Sequence, residues 1–306
     1  MSVTATVLAA RPSGAVGRPR LPGSGSLPRG CDLLWSLAFL TPYAALFAAF
    51  VIYPMGYGIW MGSDPALYAA LFSDPRYIRA AINTVLFVGL AVNVQMILAL
   101  LLSGFFARRS RWSKSLLVAF LLPWTLPAVP AYLSFHWMLV AYPQGLIDNL
   151  LSALFGFEPV FWFNHGWAAL GWDIAASIWK WTPLWTLVLL GGRMAIPRDL
   201  YDAASVDGAS HRQCFVHITV PLLANLYIIS TLVSTVWAFG DYAPVLFVSA
   251  GTPAFESEVL STLGFHYALD YANPQLGIAA GLSALPLLVP AVILLLRRLK
   301  ATQVQL

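Results

Sequence analysis

The chain has 306 residues, of which 59% are hydrophobic and only 10% are charged, and its mean hydropathy is +0.74. A soluble domain carries about 25% charged residues, and a soluble chain of this length could not bury so much apolar surface. The formal net charge of +4 does not indicate nucleic-acid binding, because the membrane topology described below accounts for it. Cys31 and Cys214 lie far apart without a CxxC spacing, which disfavours a disulfide framework or a zinc site. The composition predicts an all-α, polytopic membrane protein.

The N-terminal segment 1–32 is rich in Gly, Pro, Ser and Arg and has no apolar periodicity. That composition is typical of a disordered tail. The apolar run that follows is too long for the hydrophobic region of a signal peptide, so it predicts an uncleaved first span. We therefore expect a tail, 1–32, followed by one membrane domain, 33–300.

A membrane-spanning helix needs about 20 predominantly apolar residues. The proline cluster at 123, 127 and 130 predicts a local break in the third qualifying run, and the shorter apolar stretch 146–157 is expected along the outer interface. The runs that are long enough predict six spans: 33–60, 81–107, 115–140, 167–194, 219–248 and 275–296.

The positions of Lys and Arg predict the orientation, because these residues concentrate in cytoplasmic segments. With the N-terminus inside, 14 of the 17 basic residues are cytoplasmic, and both termini face the cytoplasm. The outer loops are then expected at 61–80, 141–166 and 249–274. The cytoplasmic residues are Arg11, Arg18, Arg20, Arg29, Arg108, Arg109, Arg111, Lys114, Arg193, Arg198, Arg212, Arg297, Arg298 and Lys300.

A polar island at 196–218 separates the fourth and fifth runs, on the cytoplasmic side of the predicted topology. Pro197 suits the first position of a helix, and the sequence predicts an apolar stripe of Leu200, Ala203, Ala204 and Val206. Gly208 is expected to end this helix in a left-handed conformation. Ser210 to Gln213 reads as a capping box that opens a second short helix.

The island resembles the cytoplasmic EAA loop of importer-type ATP-binding-cassette permeases, whose pattern runs E-A-A, three residues, G, nine residues, I-x-L-P. Asp202-Ala203-Ala204 stands for E-A-A, Gly208 for the glycine, and 218–221 for the end of the pattern. Asp202 keeps the charge of the usual Glu with a shorter reach. Further motifs follow in the family's order over 33–300, and the resemblance is closest to permeases for maltose-like oligosaccharides and glycerol-3-phosphate.

The resemblance implies a type I importer permease fold with six transmembrane helices in a bacterial inner membrane. It implies a heterodimer with a second related permease, two copies of an ATP-binding-cassette ATPase, and an extracytoplasmic solute-binding protein. ATP and Mg would be used by the ATPase; this chain has no GxxxxGK[ST] motif and is expected to bind no cofactor or metal. The residues that would couple to the ATPase are Asp202, Ala203, Ala204, Asp207, Gly208 and Phe215. A membrane-surface helix is the alternative for this island, but its three aspartates suit an anionic leaflet poorly.

Two ionisable residues, Lys180 and Asp241, fall inside predicted spans. Such residues usually face a partner or a cavity, so they pair with each other or line a solute path. The neighbouring aromatic residues suit sugar faces, although Trp and Tyr also anchor helices at membrane boundaries. The candidate path residues are Lys180, Trp181, Trp237, Asp241 and Tyr242.

The resulting hypothesis is an importer permease for a sugar or sugar-like solute, which is a transport subunit and not an enzyme. An ion-gradient-driven secondary transporter is the alternative, but it predicts internal repeats and paired membrane carboxylates. A membrane-embedded enzyme is disfavoured because no cluster of catalytic residue types is visible.

Overall fold

The computed structural model describes residues 30–108, 111–140, 145–156, 158 and 160–303. Over these residues the chain is helical without β-strands, which confirms the all-α class. It divides into two compact units, Met1–Gly56 and Tyr57–Leu306. Most of the predicted tail, 1–32, lies outside the described residues.

The first unit contains helix α1 (Gly30–Phe47) and a wider π-type turn (Ala48–Ile52), and α2 (Tyr53–Met61) begins at its end. The stretch 34–60 has no charged residue, and its large side chains are exposed, with Phe39 at 77%. Such a surface is expected of a helix surrounded by lipid.

The second unit contains twelve further α-helices within its described residues. Before the polar island these are α3 (Pro65–Ser73), α4 (Pro75–Phe106), α5 (Arg111–Thr125), α6 (Ala128–Leu139), α7 (Leu146–Phe155) and α8 (Gly166–Met194). From the island onward they are α9 (Asp199–Val206), α10 (His211–Cys214), α11 (Val220–Gly240), α12 (Leu260–Phe265), α13 (Pro274–Leu282) and α14 (Leu285–Gln303). Wider π-type turns occupy Phe215–Thr219, Val245–Ser249 and His266–Asp270.

Helices α4 and α8 form the centre of this unit and pack against each other more extensively than any other pair. Buried alanines, among them Ala91, Ala99 and Ala176, keep the helix surfaces narrow. Small residues let membrane helices approach closely, where dispersion contacts and hydrogen bonds replace the hydrophobic effect. Phe87 and Leu189 fill the core between them. The pair therefore supplies a firm frame for the residues that project from it.

Among the described residues, four helical stretches are long and apolar enough to cross a membrane: Leu34–Met61, Pro75–Phe106, His211–Gly240 and Pro274–Ala301. Helices α5 and α6 make a fifth candidate if they count as one span, and they are bent by 95° where the proline cluster predicted a break. The remaining predicted span, the fourth in chain order (167–194), corresponds to α8, whose 29 residues include Asp173, Lys180 and Arg193. Six spans therefore remain a prediction.

Two of the segments assigned to outer loops contain helices. The first, 61–80, contains α3 and the first turns of α4. Asp74 caps α4 by accepting a hydrogen bond from the Arg76 N–H, and Pro75 occupies the first helical position. Helix α4 thus begins six residues before the predicted start of the second span at 81, and Arg76 and Arg79 lie in its first turns.

The second such segment, 249–274, is folded against α4. The Asn83 Nδ2 group donates to the backbone oxygens of Glu256 and Glu258, both at 2.8 Å. The Leu260 N–H donates to Thr84 Oγ1 at 2.8 Å, and Leu260 is fully buried. Polar side chains at the start of α4 therefore hold this segment in place.

Glu258 is 1% exposed within that segment, and neither of its carboxylate oxygens has a hydrogen-bond partner among the described residues. Its Oε1 atom lies 3.5 Å from His266 Nε2. Burial raises the pKa of Glu258 from 4.5 to about 7; the charge of Arg76 opposes this rise and that of Asp74 adds to it. The folded protein therefore holds a proton here that an unfolded chain releases near pH 4.5.

This difference predicts that the protein loses stability as pH rises from about 5 to 7. The contribution of Glu258 is complete below its unfolded pKa and is lost as the pH passes its folded pKa, at a cost of about 3 kcal/mol. Glu258→Gln should reduce the fall in the thermal unfolding midpoint between pH 5 and pH 8, measured in detergent. Glu256→Gln, at a partly exposed position two residues away, should retain the wild-type slope, and an unchanged slope in Glu258→Gln would contradict the assignment.

Candidate functional site

The polar island forms a short helix, a glycine turn and the start of a long helix. Helix α9 begins at Asp199, so Pro197 precedes the helix and does not occupy its first position as expected. Asp199 and Asp202 lie in its first turn, where the helix dipole favours negative charge. Asp207 follows its last residue.

Gly208 ends α9 in the predicted left-handed conformation, with φ of +77°. The Ala209 N–H donates to Ala204 O at 2.9 Å, and the Gly208 N–H donates to Ser205 O at 3.1 Å. These two bonds are those of a Schellman motif, which satisfies the last carbonyls of a helix. The turn is therefore a defined structure and not a loose link.

The predicted capping box at Ser210 and Gln213 is confirmed. The helix that it opens is not short, however. It continues from His211 to Gly240 as a single stretch of 30 residues, with a π-type turn at Phe215–Thr219. Pro221 lies in the first turn of α11, where its missing N–H is tolerated.

Two contacts that the sequence did not indicate attach the island to the helices around it. The Tyr201 hydroxyl lies 2.9 Å from Thr219 Oγ1, which joins α9 to the long helix. Arg193, near the end of α8, donates to Ser103 Oγ at 3.2 Å, and its guanidinium lies 5.6 Å from the Phe215 ring centre. Of the predicted coupling residues, Phe215 thus makes an internal contact.

The apolar stripe predicted for α9 is divided in the structure. Ala204 is half-buried, whereas Leu200, Ala203 and Val206 face outward. Val206 is 87% exposed. Asp202, Asp207 and Gly208 are exposed as well. The helix therefore presents a small apolar face with acidic residues beside it.

A cavity of about 410 Å³ lies between α4, α6, α8 and α11. Four of the five candidate path residues line it. Tyr242 does not; it is 42% exposed and stacks on Phe265 with ring centres 5.4 Å apart. The lining includes residues that carry a hydrogen-bonding group, an aromatic ring or both: Gln95, Ser177, Lys180, Trp181, Trp185, Ser234, Trp237 and Asp241. Gln95, Trp185 and Ser234 were not predicted, because each reads as an ordinary residue of an apolar run.

Lys180 does not form an ion pair with Asp241, although both line the cavity. Its ammonium donates to Leu126 O at 2.7 Å and to Pro123 O at 3.2 Å. These carbonyls lie at the break between α5 and α6, where a helix leaves its last carbonyls without partners. Lys180 therefore caps the broken helix.

Asp241 was predicted inside the fifth span, but it lies at a helix break. Helix α11 ends at Gly240, and Asp241 is extended, with ψ of 102°. Its Oδ1 accepts from the Ala243 N–H at 3.1 Å, and its Oδ2 accepts from Trp181 Nε1 at 3.4 Å. The side chain thus joins the break to α8.

Residues 55–299 match the family model described as binding-protein-dependent transport system inner membrane component. The trehalose/maltose transport system permease protein of Thermococcus litoralis is 31% identical over 71% of this chain and 72% of its own length. The sulfoquinovosyl glycerol transport system permease protein of Agrobacterium fabrum is 30% identical over 88% of this chain and 92% of its own length.

Among solved structures, a chain of the bacterial alginate ABC transporter, in complex with an alginate pentasaccharide-bound periplasmic protein, matches with a TM-score of 0.76. It is 22% identical, and the match covers 87% of this chain and 93% of that chain. At this identity the likeness establishes the fold.

Gly208→Val should disorder the glycine turn, because a β-branched residue tolerates φ of +77° poorly, at a cost of about 1–3 kcal/mol. We expect faster tryptic cleavage after Arg198 and Arg212, which flank the turn. Gly208→Asn is the matched control, since Asn tolerates this conformation. Equal cleavage of the Val variant and the wild type would contradict the role of the turn.

Lys180→Met should lower the free energy of unfolding by about 2 kcal/mol or more, because two carbonyls lose a charged donor. Lys180→Arg keeps a donor and should lose less. Adding Asp241→Ala to Lys180→Met should not restore stability, since the two side chains are not a direct ion pair. Restored stability in the double variant, measured by thermal unfolding in detergent, would show that they are.

Proposed function

Because the chain belongs to the family of binding-protein-dependent transport system inner membrane components, we propose that it forms one wall of the path by which a sugar or sugar-like solute crosses the membrane. The chain is a permease subunit of an ATP-binding-cassette importer and not an enzyme. The relatives named above carry trehalose or maltose and sulfoquinovosyl glycerol, and another carries sn-glycerol-3-phosphate. An importer of this class works with an ATPase and a solute-binding protein.

We assign α9 as the coupling helix that docks on the ATPase. The support is its outward face of Leu200, Ala203 and Val206, which nothing in the described chain covers. The Schellman turn and the Tyr201–Thr219 contact join this helix firmly to the long helix behind it. A helix so attached can transmit the movement of a partner to the membrane domain.

The exposed charges of this helix favour a protein partner over a lipid surface. Asp199, Asp202 and Asp207 are all exposed on or beside α9, and carboxylates next to an anionic leaflet are unfavourable. Membrane-surface helices instead carry Lys and Arg beside a large apolar face. A basic-rimmed cleft in the ATPase would complement this helix in both shape and charge.

The assembly that we propose has this chain paired with a second, related permease as a heterodimer. Two ATPase copies lie on the cytoplasmic side and use ATP and Mg²⁺, which this chain is not proposed to bind. The basic residues counted from the sequence support an orientation with both termini in the cytoplasm. An extracytoplasmic binding protein would deliver the solute to the opposite side.

The cavity between α4, α6, α8 and α11 is the proposed solute site. Its volume of about 410 Å³ lies within the range of ordinary ligand pockets, about 300–1,000 Å³. It combines aromatic surface with hydrogen-bonding groups, the combination by which sugars are held. In the complete importer, the second permease would close this cavity from the other side.

The test uses Val206→Arg, which places a bulky cation on the outward face of α9 without touching other described residues. We expect loss of ATPase co-purification and of ATP-driven uptake, with normal thermal stability. Lys300→Glu, an exposed change near the C-terminus, is the control. Unchanged co-purification of Val206→Arg would contradict the docking assignment, and absence of any ATPase from the wild-type complex would favour an ion-driven transporter.

A further inference from the structure

The charged residues that line the cavity indicate which solutes it accepts. We propose that this wall of the path selects neutral polyhydroxylated ring solutes and rejects sugars that bear a carboxylate, phosphate or sulfonate group. The inference rests on the proposed function, because it requires the cavity to lie on the solute path. It concerns the contribution of this chain to the complete path.

The single cation of the cavity lining is already engaged. Lys180 is 5% exposed, and its ammonium is directed at the carbonyls of Leu126 and Pro123. An anionic solute group could recruit this ammonium only by withdrawing it from the broken helix. The two carbonyls would then be left unsatisfied in a water-poor environment, which is unfavourable. The lysine is therefore a positioning residue and not an anion-binding group.

The single carboxylate of the lining is not neutralised by a direct partner. The ion pairs among the described residues involve Asp74, Glu256, Glu258 and Asp270, but not Asp241. The hydrogen bonds that Asp241 accepts come from a backbone N–H and an indole, both neutral. Its charge would repel an acidic solute across the small cavity, and repulsion is strong where the dielectric constant is low.

The remaining polar groups of the cavity are neutral. Gln95 Oε1 and Trp185 Nε1 are buried without a hydrogen-bond partner among the described residues. Such groups are rare in folded proteins and call for an explanation; here one acceptor and one donor line the same cavity. A sugar hydroxyl can both donate and accept, so neutral hydroxyls match this mixed set.

Three indoles give the cavity its apolar surface. The ring centre of Trp237 lies 5.6 Å from that of Trp181 and 5.8 Å from that of Trp185. Ring faces of this kind pack against the C–H face of a pyranose. They also attract cations, so an amino sugar is the relevant competitor, and the experiment includes one.

The experiment uses the purified transporter complex labelled with 5-fluorotryptophan and followed by fluorine NMR. Trp→Phe variants assign the resonances of Trp181, Trp185 and Trp237, and exposed Trp112 is the internal reference. The probes are matched pairs of ring sugars that differ in charge: glucose with glucuronate, and galactose with galacturonate, together with glucosamine. We expect the neutral member of at least one pair to shift the cavity resonances and to bind with an affinity about tenfold or more higher than that of its acid.

Asp241→Asn removes the charge and keeps one of the two hydrogen-bond acceptors, and it should reduce the preference for the neutral sugar over its acid. The proposed selectivity for neutral solutes would be wrong if the acids bound the wild type as tightly as the neutral sugars or more tightly, or if glucosamine bound most tightly. Neither result would contradict the assignment of the cavity to the solute path. Cavity resonances that no sugar shifts would overturn the path assignment, and this inference with it. The Val206→Arg test of ATPase coupling is independent of all these outcomes.

Discussion

The structure depends on one constraint: a helix that is interrupted inside a bilayer must find new partners for the backbone groups that it frees. This chain has two interruptions beside the same cavity, between α5 and α6 and after α11. Lys180 from the central helix caps the first, and Asp241 secures the second while accepting from Trp181 of that helix. The α4–α8 frame thus holds the two breaks at fixed positions, and the cavity exists because both spans stop there.

Features that depend on local chemistry were predictable from the sequence. The left-handed Gly208, the capping box at Ser210 and the break near Pro127 each follow from the properties of residues close together in the chain. The all-α class follows in the same way from composition. The exact start of α9 was wrong by two residues, because several positions near Pro197 satisfy the same helix-start rules.

Features that depend on distant contacts were not predictable. Lys180 and Asp241 both line one cavity, yet nothing in the sequence shows that the ammonium finds carbonyls 54 and 57 residues away. The segment 249–274 reads as a polar outer loop because it contains acidic residues. It folds inward because Asn83 and Thr84 supply hydrogen bonds to its backbone, which leaves Glu258 buried. Only pairing information across the chain could have revealed this.

The continuous helix from His211 to Gly240 has a mechanical consequence. Its 30 residues are about 45 Å long, and it begins at the glycine turn behind α9 and ends at Asp241 beside the cavity. A rod of this length that tilts by about 5° displaces one end by about 4 Å relative to the other. That displacement exceeds the length of a hydrogen bond, so a modest rotation imposed at the α9 end of the helix is geometrically sufficient to reshape the cavity.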